Sequence, residues 1–178
     1  MPNRILIVLL FCSVMLVPIW GEAQTCRSSE APGWSKELRQ LHADCSNSVA
    51  SPNGAITFQA GPAERLRIVR DSRPLALIGN HKAGLPVVLS WSPSSEEFFL
   101  NDGNGSGLSS RLRIFHVLTS SVEEDGAVAK AIVQIYRQRN KCDSSSDNPN
   151  VYGVGWSEDG KILYAIAEHC KCAVRRGN

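Results

Sequence analysis

Val88-Leu89-Ser90-Trp91-Ser92-Pro93 and Gly153-Val154-Gly155-Trp156-Ser157-Glu158-Asp159-Gly160-Lys161 decide how this chain is read. Each sets a Trp-Ser at the end of an apolar segment, adds turn residues, and then resumes an apolar strand. Ser-Pro and Asp-Gly reverse the chain, because Pro fixes φ and Gly admits positive φ. A Trp at a strand end buries a large apolar surface while its indole N–H needs one partner. Trp91 and Trp156 are therefore read as structural core residues, with sugar stacking by exposed indoles as the competing role. The layout is that of a repeated sheet unit, not of an active site.

Working outward, Ser51-Pro52-Asn53-Gly54 is a turn before a strand at Ala55–Gln59, and Arg65-Leu66-Arg67-Ile68-Val69 nearly alternates. Leu85–Ser90 opens a second unit, and a third begins near Val151. Arg65-Leu66-Arg67-Ile68 recurs as Arg111-Leu112-Arg113-Ile114, so the repeat units are placed near 48–82, 83–120 and 151–170. Two helices are expected beside them. Trp34, Leu38 and Leu41 recur at helical spacing and predict a helix over 34–44. Val128, Ile132, Ile135 and Tyr136 share a stripe and predict an inserted helix over 126–139, laid on the sheet.

The turns at Ser90-Trp91-Ser92-Pro93 and Gly155-Trp156-Ser157-Glu158-Asp159-Gly160, with Ser51-Pro52-Asn53-Gly54 as a worn copy, resemble the WD40-like propeller repeats of the periplasmic TolB type. The resemblance implies a mainly β fold: incomplete propeller-like antiparallel sheet units with two added short helices. A closed propeller needs at least four blades, and this chain supplies two and a fraction. An open monomer is favoured over a ring of several copies. Such scaffolds host many roles, so the resemblance implies an envelope setting rather than an activity.

Met1–Arg4 gives a short positive start, Ile5–Trp20 is almost continuously apolar, and Gly21-Glu22-Ala23 offers a cleavage site. This is the signature of a signal peptide over residues 1–23, followed by a single domain over 24–178 in a periplasmic or secreted protein. The apolar run, about 16 residues, falls short of the roughly 20 that span a bilayer. No second apolar segment suggests an integral membrane span after the leader is removed. A net charge of +2 is too small a bias to argue for nucleic acid. Export permits disulfides, and Cys26 with Cys45 is the expected first pair. Cys142 then reaches Cys170 or Cys172, and one thiol is left free. Soft-metal ligation by Cys142, His169, Cys170 and Cys172 is the weaker reading, because no second close Cys pair matches Cys-x-Cys.

No cofactor is expected. Asp102, Asn104 and Ser106 place oxygens at alternate positions, as in the first half of a calcium loop. Position twelve from Asp102 is Arg113, where a bidentate acid is required, so the segment reads as a hairpin loop with calcium as the lesser role. His42, His81, His116 and His169 are scattered, and no serine sits in a nucleophile elbow. No catalytic residue is assigned. The expected function is a non-catalytic, envelope-associated protein-interaction module with an envelope protein as partner, and self-association is not favoured. The competing function is a small secreted hydrolase or saccharide- or ligand-binding protein, which requires a pocket enclosing His116 or His169 beside a carboxylate.

Overall fold

Ile56-Thr57-Phe58-Gln59-Ala60-Gly61 alternates strictly between buried and partly exposed residues, as a strand with one face in a core must. That pattern, extended across the chain, gives a stack of antiparallel sheets. The computed structural model describes residues 29–30, 38–42, 46–61, 65–80, 86–103, 110–140 and 149–168. Its strands are β1 (Ser29–Glu30), β2 (Arg39–His42), β3 (Asn47–Ala50), β4 (Ile56–Gly61), β5 (Arg65–Arg70) and β6 (Arg73–Asn80). They continue as β7 (Pro86–Trp91), β8 (Glu97–Gly103), β9 (Ser110–Val117) and β10 (Val122–Asp125). Helix α1 (Gly126–Asn140) follows, and then β11 (Asn150–Trp156) and β12 (Leu163–Glu168).

Among the described residues three sheets form, with strand orders β3-β4-β5-β6, β1-β2-β7-β8-β9-β10 and β11-β12. The six-stranded sheet is the middle layer. One face carries Leu41, Val87, Leu89, Trp91, Phe98, Leu100, Phe115 and Val117 against Ile56, Phe58, Leu66 and Ile68 of the four-stranded sheet. Phe98 is the centre of this layer, 4.8 Å from Phe115 in a stacked pair and 4.9 Å from Trp91. The other face carries Leu38, Phe99, Leu112 and Ile114 against Val151, Trp156, Leu163 and Ala165 of the hairpin and Ile132 and Val133 of α1. Phe98, Phe99 and Leu100 are consecutive and all fully buried, because both faces of β8 are covered.

The expected helix over 34–44 is corrected here. Arg39–His42 is a strand paired antiparallel with β7, and the remainder of that span, apart from Leu38, lies outside the described residues. Leu38 and Leu41 are 2% and 1% exposed. Their spacing of three is a helical repeat, but on a strand it sends the two side chains to opposite faces, and both faces of this sheet are buried. The pattern satisfies either geometry. Pairing with β7 decides it.

The propeller-like arrangement is also corrected. A blade has four strands, whereas the middle sheet here has six and the last has two, and no ladder closes among the described residues. The two expected short helices reduce to α1 among the described residues. α1 presents only part of the expected stripe to the sheet: Ile132 packs there with Val133, whereas Val128 and Ile135 are exposed.

What repeats is local turn chemistry. The N–H groups of Ser51, Ser92 and Ser157 each donate to the carbonyl five residues on, in every case at 2.8 Å. Each serine Oγ accepts the returning N–H, from Ile56, Glu97 and Ile162 respectively. The fourth position of each turn has positive φ: Gly54 (71°), Ser95 (65°) and Gly160 (72°). The first two turns are joined, because the Asn53 N–H donates to Ser95 Oγ at 3.1 Å.

Candidate functional site

Antiparallel register sets Glu97 of β8 and Glu123 of β10 directly across from His116 of β9. His116 Nδ1 lies 2.9 Å from Glu97 Oε1, and Nε2 lies 3.6 Å from Asp125 Oδ2. Asp125 also caps α1, its Oδ1 accepting the Ala127 N–H at 2.7 Å. That amide, and then His116, hold the Asp125 carboxyl below its ordinary range. The two carboxylates address opposite nitrogens of one ring. This geometry braces β8, β9 and the start of α1, with the His116 side chain 41% exposed.

A second polar cluster lies on the opposite face of β9. Arg113 donates to Glu124 through Nε (3.1 Å) and Nη2 (2.7 Å), and Nη2 also reaches the Ile78 carbonyl at 3.1 Å. Its guanidinium lies 4.9 Å from the Phe115 ring centroid. The Arg113 hydrogen bond is the main reason the Glu124 carboxyl sits below its ordinary range. Because Ile78 belongs to β6, Arg113 ties the middle sheet to the four-stranded one. The alternation Arg111-Leu112-Arg113-Ile114 was a visible signal of a one-sided strand, but its partners depend on register.

Beneath α1 opens a cleft of about 710 Å³, within the 300–1,000 Å³ of small-molecule sites. Leu112, Ala129, Val133, Pro149 and Val151 give it an apolar floor. Arg111, Lys130, Gln134, Arg137 and Gln138 also line it, with the acids Glu124 and Asp125. No sequence pattern announced this cleft. It exists because α1 rests on the sheet through Ile132 and Val133 rather than along a full apolar stripe.

Trp91 is buried between the first two layers, and Trp156 is half-buried with its ring centroid 5.9 Å from that of Phe99. The Trp156 indole N–H points at the Ser90 carbonyl, 3.4 Å away. Asp102, one of the calcium candidates, lies on β8 with its carboxylate 3.7 Å from Arg113; Asn104 and Ser106 lie outside the described residues. So do Cys26, Cys45, Cys142, Cys170 and Cys172, together with His169 and residues 1–23. The disulfide expectation therefore has no counterpart among the described residues, which include no cysteine. No group of three or more His, Cys, Asp or Glu among them could hold a metal ion. No helix among them is long and apolar enough to cross a membrane.

No protein-family model, curated protein or solved structure matches this chain, so the TolB-type resemblance is withdrawn and the shared Ser turns stand as local chemistry only.

Proposed function

We propose that this chain is an exported, non-catalytic protein-interaction module, periplasmic or secreted, that engages a partner protein through the outer face of the β11–β12 hairpin. One observation carries the reading: of the two ends of the sheet stack, the hairpin end presents tyrosines beside its exposed aliphatic residues. Val151, Trp156, Leu163 and Ala165 point into the core, so cross-strand partners Tyr152 and Ile166, together with Tyr164, share the outer face. Tyr164 is 52% exposed and Ile162, at the end of that face, 55%. The outer face of the four-stranded sheet instead sets Thr57, Gln59 and Arg67 among Val69 and Leu77, the last 66% exposed across from Arg67, and carries no tyrosine. Tyrosine-rich apolar patches of this kind favour protein partners. The leader-like composition of residues 1–23 supports export. The hydrolase reading needs a pocket around His116 or His169; His116 lines no part of the cleft beneath α1, and His169 lies outside the described residues.

The test is site-specific photo-crosslinking in envelope extract, with the reactive side chain at position 164 or, on the opposite end, at position 59. The expected result is one discrete heterologous adduct from position 164, lost in an Ile162→Glu/Ile166→Glu variant and absent from position 59. Equal yields from both positions, or no adduct, would overturn the proposal. An adduct of twice the chain mass would also overturn it, by showing that the face meets a second copy.

A further inference from the structure

We infer that the cleft between α1 and β9 binds an extended, acidic peptide segment, at a site separate from the outer hairpin face. Val151 faces the cleft and its neighbour Tyr152 faces the other side of β11, so the two surfaces do not overlap.

Charge is the first reason. The two acids at the cleft are already engaged: Glu124 by the Arg113 guanidinium, Asp125 by the Ala127 N–H and His116. Of the three cations that line the cleft, Arg137 has a partner of its own, and Arg111 and Lys130 are less closely matched. Arg111 has a side chain 77% exposed and approaches Glu124 only to 4.0 Å. Lys130 has no ion-pair partner among the described residues. The cleft is thus positive in effect, and it complements an acidic ligand.

Spacing is the second reason. The wall residues Lys130, Gln134 and Gln138 recur every four residues of a helix, about 6 Å apart. Alternate residues of an extended chain repeat at about 6.6–6.8 Å, so each wall residue can meet one polar group of such a chain in turn. The lining from Gly126 to Gln138 covers about 18 Å of helix, the length of five or six extended residues. Leu112, Val133 and Val151 then receive the apolar side chains of the other register. An acyl chain would set methylenes against both glutamines and satisfy neither.

Fluorescence anisotropy tests this with the full chain and a synthetic hexapeptide alternating valine and glutamate, carrying a dye on a glycine spacer. Saturable binding that weakens with added salt is expected. Arg111→Glu/Lys130→Glu should weaken it about tenfold, and the thermal midpoint should fall only slightly, because the Arg111–Glu124 contact given up is a surface one. Gln134→Ala/Gln138→Ala should weaken it a few-fold, and the matching valine–lysine peptide should not saturate. Ile162→Glu should leave peptide affinity unchanged, which separates this site from the hairpin face. Absence of saturation, equal affinity for the lysine peptide, or insensitivity to the double charge reversal would overturn the inference. Capture of phosphatidylglycerol vesicles with that same sensitivity, in place of the peptide, would do so too.

Discussion

Gly153→Ala tests how the hairpin is seated on the middle sheet. A Cβ at position 153 would lie 2.6 Å from Phe99 Cε2, 2.7 Å from Cδ2 and 2.9 Å from Cζ, where about 3.5–4.0 Å is comfortable. Phe99 has no room to yield, being fully buried with Trp156 beside it. Gly153 cannot retreat either. Its N–H donates to Asn101 Oδ1 at 2.7 Å, and its carbonyl accepts from Asn101 Nδ2 at 2.8 Å. Overpacking a core typically costs about 1–3 kcal/mol, and with both partners held the upper end is expected. At about 2–4 °C per kcal/mol for a domain of this size, the melting temperature should fall by about 6–12 °C. Gly54→Ala is the control, since its Cβ meets nothing within 4 Å while φ is +71°; it should cost only about 1 kcal/mol of backbone strain. Phe99→Leu should relieve part of the Gly153→Ala loss, giving a coupling of at least about 0.5 kcal/mol. Thermal and urea melts of the three single variants and the double mutant read this out. A Gly153→Ala loss no larger than that of Gly54→Ala, or strict additivity with Phe99→Leu, would refute the reasoning.

Ser95 holds a positive φ and accepts the Asn53 N–H. Ser95→Ala should lose about 1 kcal/mol, whereas Ser95→Gly should stay nearer wild type because glycine takes that φ freely; urea midpoints in the reverse order would contradict this. Arg113→Lys keeps the charge but loses the two-pronged contact to Glu124 and the bond to the Ile78 carbonyl. A loss of about 1–2 kcal/mol is expected in urea titrations, and one below about 0.5 kcal/mol would count against the inter-sheet tie. The Glu124 carboxyl is depressed from its ordinary value of 4.5, so its contribution is present above that value and is lost as pH falls through the folded value. Glu124→Gln should therefore be less stable than wild type near neutrality, with the two stability curves converging in acid; a gap that stays constant from neutral pH to pH 3 would refute it.

The strands of the first two layers are legible where one face is buried, as in Ile56–Gly61, or where both are, as in Phe98-Phe99-Leu100. The turns are legible because Ser, Pro, Asp and Gly each carry a local reason to reverse the chain. Assembly is not. The same serine-gated turn closes β3–β4, β7–β8 and β11–β12, yet these hairpins belong to sheets of four, six and two strands, so a turn says nothing about how many strands follow. Leu38 and Leu41 fail as a helix signal because a strand buried on both faces produces the same spacing. The polar clusters are hidden for a related reason. His116 with Glu97, and Arg113 with Glu124, are neighbours across strands, and register is a product of the whole sheet.

The stack also explains why recognition is placed where it is. The first and middle layers share the large aromatic cluster around Phe98, Trp91 and Phe115. The hairpin is held by the smaller cluster around Phe99, by the paired Asn101–Gly153 bonds and by the Trp156 N–H to Ser90. Free energies of local opening follow buried apolar area and backbone protection, so the hairpin and α1 form the less stable layer. Both proposed surfaces lie on that layer, one on each side of β11. A ligand on either surface adds its binding energy to the layer that opens most readily, while the Phe98 layer holds the fold without it. Division of the molecule into a stable base and an adaptable recognition layer follows from the uneven size of the two cores.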